Sequence, residues 1–396
     1  MASHLSPRRR RVAALAGVVT ALALTVTACG GDSGSSASAD RKNEAADAAK
    51  DGGGLTDKLP EDLPGSIDDL DQWRKDGWKN WDKDQWLRDA ADFVNPYVPD
   101  HWSRKRVEEA KGSENAVGPD VETAGATGPV PSRVQAEQVA TPYTQNAAPA
   151  GKIFMETPKG PGVCSGTVVK DPRSPGKSNL VATAAHCIHG GRSGGWFRNI
   201  MFAPAFNNDG LSASRLDGAQ RSALYPYGQW WVEWIQTTDY WISKGDSSNG
   251  NGAQQDFAVL KVRTNPDTGK SLEETVGAAV KVDFDAPPID RFAGVSSYGY
   301  PAEAPYQGAR MFRCTDKPSR YSLDPSQPPM YWIGCTMTGG MSGGGWFAEG
   351  SDGKAQLVSV NSLINRPDVS WATGPRLGAA AEGVFDAISK KFAGRS

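Results

Sequence analysis

The chain has 396 residues, 22% of them charged and 38% hydrophobic, with a formal net charge of −2. That length leaves room for more than one domain and for a sizeable core. The near-neutral balance argues against a nucleic-acid partner. The five cysteines show no Cys-x-x-Cys spacing and nothing resembles a cofactor motif, so no metal and no cofactor are expected.

The first element is an export signal, 1–28: a basic cluster, Arg8 to Arg11, followed by an apolar run, 12–28, too short for a comfortable permanent span. The run ends Val26-Thr27-Ala28-Cys29, which resembles the bacterial lipobox, where the cysteine is lipidated and becomes the new N-terminus. Ordinary signal-peptidase cleavage after Ala28 is the alternative. Cysteine parity favours lipidation, because the other four cysteines lie far downstream and Cys29 is the odd one in an exported chain. The segment 29–59, rich in Gly, Ser, Ala and Asp, reads as a flexible tether. Together they place the chain on the outer face of the cytoplasmic membrane, held through Cys29, or secreted.

Residues 60–110 change character. Within 61–92 there are ten acidic and five basic side chains together with Trp73, Trp78, Trp81 and Trp86. Ile67, Leu70, Trp73, Trp81 and Leu87 fall loosely on one helical face, interrupted by Gly77. Two readings stand: a pro-segment or accessory helix packed on the domain that follows, or a partly ordered stalk. Residues 111–150, full of Pro, Gly, Ala and Thr, read as a second linker. The N-terminal region is therefore expected to be partly disordered.

From about Gly151 the pattern is all-β: short apolar runs punctuated by Gly, Pro, Asn and Asp. Strands are expected at 153–156, 165–170, 180–184, 199–205, 230–236 and 257–262. A second set follows at 278–284, 295–299, 309–314, 331–335, 345–348 and 357–363. Leu377, Ala381, Val384, Ile388 and Phe392 then recur at helical spacing and predict a C-terminal helix.

Three short segments in this part carry chemistry: Ala184-Ala185-His186-Cys187, Asp256-Phe257-Ala258-Val259-Leu260 and Gly339-Gly340-Met341-Ser342-Gly343-Gly344. A serine hydroxyl needs a base within hydrogen-bond reach and a group that orients the base. Histidine is the natural base near neutral pH. The chain has four histidines. His4 lies in the signal and His101 far upstream, while His189, on the glycine side of the turn after His186, is expected to face solvent. Asp256 stands at the mouth of a buried strand, where a carboxylate can accept the imidazole N–H; Asp239 and Asp246 precede no such strand. The glycines around Ser342 allow backbone N–H groups to turn toward a developing oxyanion.

The order His, Asp, Ser, with gaps of 70 and 86 residues, resembles the trypsin/chymotrypsin superfamily and differs from the orders of subtilisin-type and α/β-hydrolase enzymes. The resemblance covers 151–396. It is similar to bacterial secreted trypsin-like peptidases, including the glutamyl-endopeptidase (V8-like) branch, with support from Gly162-Val163-Cys164-Ser165-Gly166-Thr167, Tyr225-Pro226-Tyr227-Gly228 and Tyr298-Gly299-Tyr300-Pro301. It implies two six-stranded antiparallel β-barrels with a C-terminal helix, and an active site in the cleft between them. Catalytic roles fall to His186, Asp256 and Ser342, and oxyanion donors are the amides of Gly340 and Ser342. The implied disulfides are Cys164–Cys187 and Cys314–Cys335. Thr336, six residues before the serine, would lie at the base of the specificity pocket, with Ser359 and Asn361 lining it.

Two departures qualify the resemblance. Met341 stands where animal digestive members carry the Asp that pairs with a freed N-terminus, so that activation switch is not expected. Thr336 stands where trypsin-like enzymes have an acid, so strict Lys/Arg preference is not expected either. Any latency would come from the N-terminal region acting sterically. The implied activity is a serine endopeptidase acting on protein or peptide. A catalytically silent module of the same fold, binding a peptide or a cell-envelope component, is the competing reading.

Overall fold

The computed structural model describes residues 92–95, 101–291 and 293–394. The expected signal peptide, Cys29, the tether and residues 60–91 lie outside the described residues. Upstream of residue 150 the chain forms short pieces: β1 (Asp92–Val94), the helix Arg104–Glu109, β2 (Lys111–Gly112), β3 (Asn115–Val117), the helix Pro119–Gly125 and β4 (Glu137–Gln138).

Six strands then close a barrel. They are β5 (Ala150–Thr157), β6 (Gly160–Val169), β7 (Leu180–Thr183), β8 (Arg198–Pro204), β9 (Trp230–Thr237) and β10 (Ala258–Val262). Their order is β5-β6-β7-β10-β9-β8, every pair is antiparallel, and β8 returns to β5. All six were expected from the sequence, within a few residues at each end. The period of two explains why so few polar residues appear in them. Ile153, Met155, Cys164, Ile200 and Phe202 point into the barrel core. Their neighbours Phe154, Val163, Met201 and Ala203 point outward into a second apolar cluster, which Trp102 helps to cover. Each fully buried aromatic of this kind contributes about 2–3 kcal/mol by area.

The second half contributes β11 (Lys281–Val282), β12 (Val295–Gly299), β13 (Phe312–Asp316), β14 (Ser319–Tyr321), β15 (Met330–Gly334), β16 (Gly345–Glu349), β17 (Ala355–Val360), β18 (Leu363–Asn365) and β19 (Trp371–Gly374). The expectation of a second closed six-stranded barrel is corrected here. These strands form two separate sheets, β11-β17-β16-β12-β13 and β14-β15-β19-β18. The sheets are joined by side chains instead of a ladder. The Cys314–Cys335 disulfide links them, Asp316 Oδ2 accepts from Gly334 N at 2.9 Å, and both sheets feed one core that includes Val295, Trp346, Tyr331 and Ile333. The expected strand 357–363 splits at Asn361 and Ser362, whose polar atoms serve the site described below. The expected strand 278–284 shortens to Lys281–Val282.

Upstream strands add to these sheets. β1 pairs with β9, β2 with β6, β3 with β18 and β4 with β13. Buried Asn95 fills a gap between β8 and β9, donating to Val232 O at 2.8 Å and accepting from Ile200 N at 3.1 Å. Trp102 donates its indole N–H to Asn199 O at 2.6 Å, and Glu156 on β5 accepts from His101 at 3.0 Å and Arg106 at 2.6 Å. The C-terminal helix, Ala379–Lys391, buries Ala381, Val384, Phe385 and Ile388 against the barrel core, the i, i+3, i+4, i+7 stripe of an amphipathic helix. No helix among the described residues is long and apolar enough to cross a membrane.

Candidate active site

Strand β7 is followed by the small pair Ala184-Ala185, where the chain turns through a short 3-10 segment that carries His186. The Cys164–Cys187 disulfide ties this turn to β6. Asp256 closes the turn before β10 and is fully buried. Its carboxylate accepts three hydrogen bonds: Oδ1 accepts from the backbone N of His186 at 2.8 Å, while Oδ2 accepts from His186 Nδ1 at 2.7 Å and from Ser362 Oγ at 2.6 Å. A carboxylate that accepts at Nδ1 fixes the proton there and leaves Nε2 as the free base of the neutral ring. The ring lies 6.3 Å, centroid to centroid, from buried Trp241.

Ser342 sits on the loop before β16, on the second half of the molecule. Gly340 and Gly343 both have positive φ, +98° and +76°. A Cβ on Gly340 would come within 2.7 Å of Tyr300 O, and one on Gly343 within 2.6 Å of Ser165 O and 2.8 Å of Ala184 N. Both positions therefore exclude a side chain for conformation and for space. Asn361 braces the loop from below, donating to Met341 O at 3.1 Å and Tyr298 O at 2.9 Å and accepting from Trp346 Nε1 at 2.6 Å and Ser297 Oγ at 2.7 Å. Ser165 N donates to Ser342 O at 2.7 Å, and Ser165 Oγ donates to Gly340 O at 2.9 Å, so β6 carries the serine loop to the histidine side.

One peptide already touches this loop. The carbonyl oxygen of Ser113, between β2 and β3, accepts from Ser342 Oγ at 3.1 Å and from Gly340 N at 2.9 Å. The single hydroxyl proton of Ser342 is thus directed at Ser113, not at His186.

The remaining expected site residues are placed as follows. Thr336 is buried, its Oγ1 accepting from Ala136 N at 2.9 Å and bonded to Tyr306 OH at 2.9 Å. Ser359 is buried and donates to Pro375 O at 2.7 Å. Asn361 is buried as the loop brace. Met341 is buried in the core shared by the two sheets. His189 is corrected: it is buried, not solvent-facing, with Nδ1 accepting from Gly191 N at 3.0 Å and its ring edge-on to Trp196 at 4.7 Å. Ser362 and Ser113 were not singled out from the sequence. A serine one residue beyond an expected pocket strand carries no local signal, and Ser113 lies in a stretch read as linker. Cys164, Cys187 and His186 cluster closely enough to suggest a metal site, but both sulfurs are consumed by the disulfide. A recess of about 880 Å³ on the described surface contains none of these residues; Trp102, Arg104, Arg221, Trp231 and Arg263 are among its walls.

No family model matches the chain and no curated protein matches it. Among solved structures, it is similar to a thermostable serine protease, AL20, from an extremophilic microorganism. That match has 30% identity and a TM-score of 0.49, and covers 62% of this chain and 98% of that one. The protease Anisep from Arthrobacter nicotinovorans is 28% identical, with a TM-score of 0.49, over 64% of this chain and 99% of that one. A Glu endopeptidase in complex with MPD is 16% identical, with a TM-score of 0.45, over 66% and 99%. Its own strands form a closed six-stranded barrel beside two further sheets, with His186 and Asp256 on loops of the barrel and Ser342 on a loop before β16 in the second half.

Proposed function

We propose that this chain is an extracytoplasmic serine endopeptidase that hydrolyses peptide bonds through an acyl-enzyme. The observation that carries the reading is the buried Asp256 carboxylate, which holds both the ring and the backbone of His186 while Ser342 lies on a glycine loop with an inward-turned Gly340 amide. Ser342 Oγ attacks the scissile carbonyl, and His186 Nε2 takes its proton and returns it to the leaving amine. Asp256 keeps the ring in the tautomer this requires and stabilises the imidazolium. The amides of Gly340 and Ser342 receive the oxyanion, each worth roughly 3 kcal/mol in the transition state. Thr336, Ser359 and Asn361 shape the wall of the specificity pocket through the hydrogen bonds already described, and offer no charge to it.

Two disulfides support a compartment outside the reducing cytosol. The lipobox-like Cys29 and the tether supply membrane attachment on the outer face. The test is labelling of the exported chain, residues 29–396, with a fluorophosphonate probe beside a Ser342→Ala control. Covalent labelling that disappears in the control is expected. Folded protein that never labels, even when nothing occupies the Ser342 loop, would instead favour a silent peptide- or envelope-binding module.

A further inference from the structure

Residues 111–117 thread the serine site, and everything about their seat is built from the chain itself. β2 lies parallel to β6, with Lys111 opposite Gly162 and Gly112 opposite Val163. β3 lies parallel to β18, with Asn115, Ala116 and Val117 opposite Leu363, Ile364 and Asn365. Between the two strands, Ser113 N donates to Val163 O at 2.9 Å, and Ser113 O receives both Ser342 Oγ and Gly340 N. Glu114 pairs with Arg366, which also pairs with Glu303. Arg366 N donates to Val117 O at 3.0 Å. Gly112 passes so close to Gly339 that a Cβ there would overlap the Gly339 carbonyl and stand 2.9 Å from Gly340 N.

From this seating we propose that residues 111–117 are an intramolecular inhibitor of the Ser342 site, a segment that must leave before a peptide can enter. The proposal rests on the serine-peptidase reading above. Two groups needed for chemistry are spent on one oxygen, the hydroxyl proton of Ser342 and the Gly340 amide. A hydroxyl that donates to Ser113 cannot at the same time donate to His186, so the seated peptide holds the nucleophile at rest and is not itself attacked. The seat is also built to be left. The Asn115 side chain is 99% buried and neither of its amide atoms has a hydrogen-bond partner among the described residues, a cost that the released segment would recover in water.

The test compares the exported chain with Gly112→Val, which cannot approach Gly339, and Glu114→Lys, which sets a cation against Arg366. Two quantities are read together: the rate of fluorophosphonate labelling of Ser342, and amide exchange at Ser113 and Gly340. The expected result is protected amides and slow labelling in the native chain. Both variants should lose protection and label at least tenfold faster. Variants that lose protection yet label at the native rate would overturn the inhibitor while leaving the peptidase intact. Amides that stay protected in both variants would show that these contacts do not hold the segment, and cleavage of the native chain between Ser113 and Glu114 would make it a substrate; either result sinks the proposal. If nothing labels in any variant with the segment released, the peptidase reading falls, and inhibition with it.

Discussion

At the scale of single residues the site depends on how Asp256 is shared. Its two oxygens serve three donors, and the pair with His186 Nδ1 decides which ring nitrogen is basic. Asp256→Asn presents an amide N–H where an acceptor is needed and favours the wrong tautomer. Peptidase kcat should fall on the order of 10⁴-fold with the melting temperature little changed. Ser362 donates to the same oxygen as the ring, which makes it a positioning residue. Ser362→Ala should lower kcat by about tenfold and leave KM unchanged; a change in KM alone would argue that it serves binding instead. The proposed triad was readable in the sequence because each member sits in a short segment whose residue types its chemistry demands. Ser362 was not, because its role comes from β17 and β18 breaking apart at Asn361, a tertiary event with no local pattern.

Among elements, the outer face of β5 is where the upstream chain is anchored. Burial by itself would raise the Glu156 carboxyl, but the hydrogen bonds and charges of His101 and Arg106 outweigh it and hold the group below its usual range. A depressed carboxyl stabilises the folded form above its unfolded value of about 4.5, and that contribution is lost as pH falls through the lower folded value. Docking of 101–109 should therefore hold at pH 6 and loosen below pH 4.5, read as faster amide exchange in the helix Arg104–Glu109. Glu156→Gln should show the loosened state already at pH 6. Apolar runs punctuated by turn residues made the barrel strands readable to within a few residues. The second half was less so: β14 and β19 are short, and its two sheets are joined by a disulfide and a shared core where the resemblance implied a closed barrel.

Taken as a whole molecule, the chain uses its upstream part to cover exposed sheet edges. β3 and β4 complete β18 and β13, and an uncovered edge is a template for pairing with another chain. A chain that begins at Gly151 loses both covers together with Trp102. It should denature at a lower urea concentration and self-associate in light scattering, while a chain that begins at residue 92 should do neither. Composition hid this. Residues 111–150 have the Pro, Gly and Ala content of a linker, and nothing in so short a run as Lys111–Val117 signals that its partners lie some 50 and 250 positions downstream.

The two hydrogen bonds that the Ser113 carbonyl accepts also change what latency means. A tethered segment competes at a fixed effective concentration, independent of how dilute the protein is. An incoming peptide sees its affinity scaled by the fraction of molecules whose segment has left, and the turnover of a bound peptide is untouched. A blockade of this kind is graded. Anything that grips the freed segment shifts that fraction without touching His186, Asp256 or Ser342.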